Sequence, residues 1–280
     1  MPLLHFAPHS GRPRWTVLTS LAIAATLLAT TPSSADIAAG YEAYQRGDFA
    51  GALAEWRPLA EAGNSRAQYN LGILSDEGRG VARDRNQAIA WWERAAEQGY
   101  APAQHNLASL YIGGDGVAQD YEKAVAWLQR AADNGLARAQ YTLGKMYYDG
   151  LGIPADRQSS ARYYHMAADQ GLAQAQYNLG KLYRDGDGVA QSDAESVKWF
   201  ALAARQGYAK AQNHLGTRYA RGIGVERDDV QAYKWAALAA RQGHAAANEN
   251  LKVLRGRMRS DEIEKAEALI AAFRPERKSE

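Results

Sequence analysis

The sequence predicts an all-α chain, a solenoid of stacked helix hairpins with about 14 helices, and three observations predict it. Five segments align at a spacing of 36 residues with no insertion: 65–100, 101–136, 137–172, 173–208 and 209–244. Within each segment the apolar residues fall into two runs at helical spacing. Glycines recur between the runs and after the second, so each segment reads as helix, turn, helix, stop.

The elements follow in order. Residues 1–35 read as a secretory leader: Arg12 and Arg14 precede an apolar run from Trp15 to Ala29, and Ser33 and Ala35 sit at the −3 and −1 places of a cleavage site. The run is short of the roughly 20 apolar residues a membrane span needs. Residues 36–64 form a capping hairpin that turns at Arg46, Gly47 and Asp48.

The five repeats come next. Numbering each from 1 to 36, eight positions are identical in all five: Ala at 3, Gln at 4, Leu at 7, Gly at 14 and 16, Ala at 31 and 32, and Gly at 35. Apolar residues at 3, 7, 10 and 11 mark one face of helix A, over about positions 2–13. The glycine pair at 14 and 16 ends it, because a helix terminus in the left-handed conformation is easiest for a residue without Cβ. Position 20 (Asp84, Asp120, Asp156, Ser192, Asp228) supplies N-caps, and helix B follows over positions 21–33. Trp or Tyr at 27 (Trp91, Trp127, Tyr163, Trp199, Trp235) shares the inner side of helix B with the Ala pair, which predicts a buried ladder rather than a row of sugar-stacking rings. Residues 245–273 form the C-terminal cap, with Ser260 expected to begin a last amphipathic helix as its N-cap, and 274–280 form a tail. Caps of this kind cover the end faces of a stack whose single hairpins cannot bury their own apolar sides.

Composition narrows the function. The chain of 280 residues is 46% hydrophobic and 23% charged with a formal net charge of +2, and without the leader it is neutral, so bulk charge does not select nucleic acid. Cysteine is absent, so neither disulfides nor a lipidated cysteine stabilises or anchors the exported chain. A periplasmic or secreted location is expected, not membrane-spanning once the leader is removed.

No catalytic or metal motif stands out. After the leader, His105, His165, His214 and His244 occupy different columns and form no i, i+4 pair for zinc. Ser109, Ser159 and Ser160 lack the context of a nucleophile. The stretch YRDGDGVAQS (183–192) looks like the start of a calcium loop, but its twelfth place is Ser196 where a bidentate Glu is needed. In the other four repeats the glycines stay while the place of Asp187 keeps an aspartate once, at Asp115, and otherwise holds Arg79, Leu151 or Ile223, so the glycines are the requirement. No catalytic residue, metal or cofactor is therefore assigned, and the chain is not read as an enzyme.

The repeat AxAQYNLGxLYxxGxGVxxDxxxAxxWxxxAAxxG resembles the Sel-1-like repeat, a relative of the tetratricopeptide repeat with a longer loop between its helices. The resemblance covers all five repeats and implies a right-handed superhelix that acts as an adaptor in protein–protein contacts. A cysteine-rich secreted branch linked to penicillin is set apart by cysteine pairs that this chain lacks. On helix A, positions 2, 5, 6, 9 and 12 fall in an arc of ~120° opposite the leucine column, and the resemblance implies that this arc lines the concave groove. Position 2 gives Arg66, Pro102, Arg138, Gln174 and Lys210; position 5 gives Tyr69, His105, Tyr141, Tyr177 and Asn213. Position 6 gives Asn70, Asn106, Thr142, Asn178 and His214, and position 9 gives Ile73, Ser109, Lys145, Lys181 and Thr217. This basic, Asn-rich and aromatic strip suits an extended segment of a partner protein: Asn holds a peptide backbone, Lys and Arg meet carboxylates, and Tyr packs on apolar side chains. The alternative reading of the strip is local packing of Tyr and Asn between repeats. The alternative function is a cell-wall or polysaccharide-acting protein, either hydrolase or glycan binder.

Overall fold

The structure is a computed structural model that describes residues 34–276. Fourteen helices and no strand occur among the described residues. The N-terminal hairpin is α1 (Ser34–Gln45) and α2 (Phe49–Glu61). The five repeats follow as α3 (Ser65–Glu77) with α4 (Arg85–Glu97), α5 (Ala101–Gly113) with α6 (Tyr121–Asp133), α7 (Ala137–Asp149) with α8 (Arg157–Asp169), α9 (Ala173–Asp185) with α10 (Asp193–Arg205), and α11 (Ala209–Arg221) with α12 (Asp229–Arg241). The stack closes with α13 (Ala245–Arg255) and α14 (Ser260–Ala272). Each helix packs mainly on its neighbours in the chain, and α14 folds back on α12. The expected leader lies outside the described residues except for its last two, and its expected end at Ala35 falls in the first turn of α1.

Local chemistry sets the boundaries where the pattern put them. Asp84, Asp120, Asp156, Ser192 and Asp228 each accept a backbone N–H from the first turn of the helix they precede. Every helix A of the repeats ends on a glycine in the left-handed region. One cap differs from expectation. The last helix begins with Ser260 inside it and Arg259 at the N-cap, where the Glu262 carboxylate accepts the Arg259 backbone N–H at 2.9 Å. An acidic residue at the third helical position reaches back to the cap, so Ser260 is not needed there.

Packing inside the first four repeats is a size match, whereas in the fifth Ala236 faces Gly216 and the backbones themselves approach. Position 28 of helix B faces position 8 of helix A. Trp92, Tyr164 and Phe200 at position 28 lie over Gly72, Gly144 and Gly180, where an added Cβ would come within 2.2, 2.9 and 2.8 Å of the rings. Where position 28 shrinks to Leu128, position 8 grows to Ala108, and both are fully buried. The N-terminal hairpin repeats the device with Trp56 over Gly40. The indole N–H of Trp56 donates to the Ile37 carbonyl at 3.2 Å, as that of Trp92 donates to the Tyr69 carbonyl at 3.1 Å.

The ladder at position 27 is less uniform than expected. Tyr163, Trp199 and Trp235 are buried, but Trp91 and Trp127 are half-buried. Each carries a cation over its ring, from Arg94, Arg130, Arg162, Lys198 or Lys234, at 4.3–5.4 Å from the centroid. These rings close the outer edge of each interface, so a neighbouring cation covers whatever the stack leaves open.

A glutamine column links consecutive units. Gln68, Gln104, Gln140, Gln176 and Gln212 are at most 4% exposed. Each donates its side-chain amide to the carbonyl eight residues earlier, from Ala60, Ala96, Ala132, Ala168 and Ala204, at 3.0–3.2 Å. Each also accepts from an amide at position 34 of its own repeat: Gln98, Asn134, Gln170, Gln206 or Gln242, at 2.7–3.3 Å. The column is therefore polar, buried and satisfied, and it ties the end of one helix B to the start of the next helix A.

Candidate binding groove

Helix A contributes the candidate strip, and the structure gathers its residues into two recesses. The larger, about 820 Å³, spans α1, α3, α5, α7 and α9 and is lined by Tyr41, Tyr69, Pro102, His105, Asn106, Arg138 and Gln174, among others. Leu136, Leu172 and the last glycines of two repeats, Gly135 and Gly171, line it as well. The smaller, about 150 Å³, lies between α7, α8 and α9 with Lys145, Tyr148, Asp149, Tyr164, Asn178, Lys181 and Asp185 on its walls. Of the predicted strip, Tyr69, His105, Asn106 and Arg138 thus meet in one place and Lys145, Asn178 and Lys181 in another. Arg66, Asn70, Tyr141, Tyr177, Lys210, Asn213 and His214 line neither.

A second ladder runs through the strip. In four places the side chain at position 5 of one unit meets that at position 6 of the next, 37 residues on. The Tyr177 hydroxyl lies 3.4 Å from His214 Nε2, and the Asn250 amide donates to Asn213 at 3.0 Å. Asn106 is a hydrogen-bond partner of Tyr69, and Asn178 of Tyr141. The rings also pack: Tyr69 on Tyr100 at 5.3 Å, Tyr141 on Tyr164 at 5.7 Å, and Tyr177 on Phe200 and Tyr208 at 5.8 and 5.3 Å. Much of the Tyr and Asn chemistry read as available for a ligand holds neighbouring repeats together. Arg66, Arg138, Lys145 and Lys210 remain exposed, and Lys181 half-exposed.

Electrostatics divides the groove. In the larger recess, burial and then the Arg138 guanidinium push the His105 imidazole below its ordinary range, which leaves it neutral as a donor and acceptor beside a fixed cation. His214, half-buried and near Arg184 and Arg218, is pushed down to about 4 by desolvation and those charges while stacked 5.0 Å from Phe200. The smaller recess is not simply basic. Asp149 and Asp185 share it with Lys145 and Lys181. Both aspartates stand at repeat position 13, which falls inside the same ~120° arc as positions 2, 5, 6, 9 and 12 at 100° per residue. The sequence thus already places these carboxylates on the face of the strip.

Asp185 and Asp187 are engaged by arginines. Asp185 accepts two hydrogen bonds from Arg184 at 2.7 Å, which together with that charge hold its carboxyl below the usual range. Asp187 lies 3.4 Å from the Arg157 guanidinium. Among the described residues no group of three or more His, Asp or Glu is placed to hold a metal ion.

The family model described as Sel1 repeat matches residues 65–100, 101–136, 137–172, 173–208 and 209–244. Among solved structures, a protective antigen of uropathogenic Escherichia coli with an SLR fold is similar at 31% identity and a TM-score of 0.75. That match covers 85% of this chain and 52% of the antigen, so the chain spans about half of that protein's length. A Sel1 repeat protein from Oxalobacter formigenes is similar at 30% identity and a TM-score of 0.70, covering 75% of this chain and 87% of that one. No curated protein matches the sequence.

Proposed function

Because the chain belongs to the Sel1 repeat family, whose members generally serve as protein-interaction scaffolds, we propose that it is an exported, non-catalytic scaffold holding an extended segment of a partner protein along the helix A face. The observation that carries the reading is the larger recess. It runs across five successive helix hairpins and combines the Tyr41 and Tyr69 rings with the polar side chains of Asn106 and Gln174 and the charge of Arg138. A segment crossing several repeats can use each of these groups in turn.

Export is supported by the leader-like residues 1–35. It also agrees with the Escherichia coli relative being a protective antigen, a property that goes with exposure outside the cell. No helix among the described residues is long and apolar enough to cross a membrane. A partner in the cell envelope, such as the exported part of a sensor or an assembly component, fits this location.

The test is affinity capture from an envelope extract with wild type and the triple variant Arg138→Glu/Lys145→Glu/Lys181→Glu. Losing a desolvated interface charge costs about 2–5 kcal/mol, so recovery of the specific partner should drop at least ~10-fold. The thermal midpoint should stay close to that of wild type, because none of the three side chains is buried. Unchanged recovery would remove this face from the function.

A further inference from the structure

At the C-terminal end of the stack, on no part of the helix A strip, lies a recess of about 350 Å³. Three elements build it: the end of α10 supplies Arg205, α12 supplies Lys234 and Trp235, and α14 with its exit supplies Leu269, Phe273 and Arg274. The exit segment is pinned in place. The Glu276 backbone N–H donates to the Arg205 carbonyl at 3.0 Å, and Pro275 lies against Gly207.

The recess combines positive charge with an apolar wall. The Lys234 ammonium sits 4.3 Å from the Trp235 ring centroid and 5.8 Å from that of Phe273, and the two rings meet edge to face at 5.7 Å. Arg274 spends one guanidinium nitrogen on the Ala271 and Phe273 carbonyls, both at 2.8 Å, and keeps its charge at the rim. Among the described residues, Arg205, Lys234 and Arg274 form no ion pair. Elsewhere in the fold Arg85, Arg157, Arg218 and Arg257 each have a carboxylate. Glu276 carries the one carboxylate lining the recess, and it is not within ion-pair distance of the three cations. Leu269 is 37% exposed, and Phe273 is half-exposed beside it.

We infer that this recess binds a phosphate group carried on an apolar or ring-bearing body. Three cations held around one hollow repel one another, and an anionic phosphate seated among them relieves that repulsion. The Lys234 amine lies below its ordinary range through burial and the Arg205 charge, and a phosphate beside it would oppose both effects. The wall of Leu269 and Phe273 favours a ligand whose anionic end is joined to an apolar one over a bare inorganic ion.

Phenyl phosphate is the soluble probe and phosphatidylglycerol vesicles are the membrane probe, with phosphatidylcholine vesicles as control. Calorimetric titration should show phenyl phosphate binding about tenfold more tightly than inorganic phosphate, and at least tenfold more weakly to Arg205→Gln/Lys234→Gln. Sedimentation with phosphatidylglycerol vesicles that the same substitutions abolish would identify a lipid headgroup as the source. Phenyl phosphate binding without vesicle binding would identify a soluble phosphate ester. Binding to neither probe, or binding that survives the double substitution, would overturn the assignment. Arg205→Gln alone changes an exposed side chain, so its loss of binding cannot be ascribed to misfolding.

Discussion

Gln140 joins two repeats through a buried amide. Its Nε2 donates to the Ala132 carbonyl at 3.2 Å and its Oε1 accepts from Gln170 at 2.7 Å, with the side chain 2% exposed. Gln140→Met keeps the volume and removes both bonds. The buried Ala132 carbonyl keeps the Gly135 N–H at 2.9 Å, so the cost is that of the two lost bonds, about 1–3 kcal/mol together, whereas the exposed Gln170 amide turns to water. Urea denaturation should show a loss of that size for Gln140→Met and under ~1 kcal/mol for Gln170→Met. The double variant should lose less than the sum, because each substitution removes the same bond. Equal stability of Gln140→Met and wild type would show that the column is not holding the stack. The identity of this residue in all five repeats was plain in the sequence, but its role was not. Helical periodicity sorts residues by polarity, and a polar residue buried for its hydrogen bonds looks the same as one facing water.

At the scale of the element, the loop between helices A and B shows what each glycine is for. Gly186 has φ near 70°, and a Cβ there would meet the Gln191 Cβ at 3.2 Å, a tight contact but not a backbone collision. Gly188 has φ near 75°, and its Cβ would come within 2.1 Å of the Arg157 backbone oxygen at the start of the previous helix B. Gly152 and Gly224 press in the same way on Tyr121 and Asp193. The first glycine therefore ends a helix and the second lets one repeat touch the next. Gly186→Ala should cost about 1–2 kcal/mol, the penalty of a left-handed alanine. Gly188→Ala should cost more than ~3 kcal/mol, since two backbones must separate as well. Asp187→Ala, which removes only a partly exposed ion pair, should cost under ~1 kcal/mol. Denaturation midpoints in the order Asp187→Ala, Gly186→Ala, Gly188→Ala would bear this out, and parity of the two glycine variants would refute it. Comparing five copies of the loop was enough to read the glycines as the requirement. The contact to the previous repeat lies 31 residues back, between backbones, and leaves no side-chain pattern to read. Similarly, the strip's Tyr and Asn were legible as a column, but their pairing across 37 residues became visible only in three dimensions.

The whole molecule is close to one-dimensional: its core divides into clusters, each centred on a hairpin and its neighbour, so its stability should be nearly a sum over units. Excising residues 137–172 tests this. The cut joins Leu136 to Ala173 in the register that Leu172 and Ala173 have now. Every repeated contact then has a counterpart. Gln176 can donate to the Ala132 carbonyl in place of that of Ala168, and Gly188 can meet Tyr121 as Gly152 does in the full chain. The shortened protein should fold with unchanged helicity per residue, unfold cooperatively at a lower midpoint, and show a urea m-value reduced in proportion to the surface lost. It should also lose the partner, because Arg138 and Lys145 leave with the excised unit and the larger recess is interrupted. Excising residues 137–156 instead removes α7 with its Gln140, Leu143 and Gly144 and sets helix B against helix B, so Tyr164 at position 28 loses the glycine it covers, and this chain should not fold cooperatively. Circular dichroism during urea unfolding separates the cases. A folded 36-residue deletion beside an unfolded half-repeat deletion is the signature of stacked units, whereas collapse of both would mean that stability resides in contacts spanning more than neighbouring repeats.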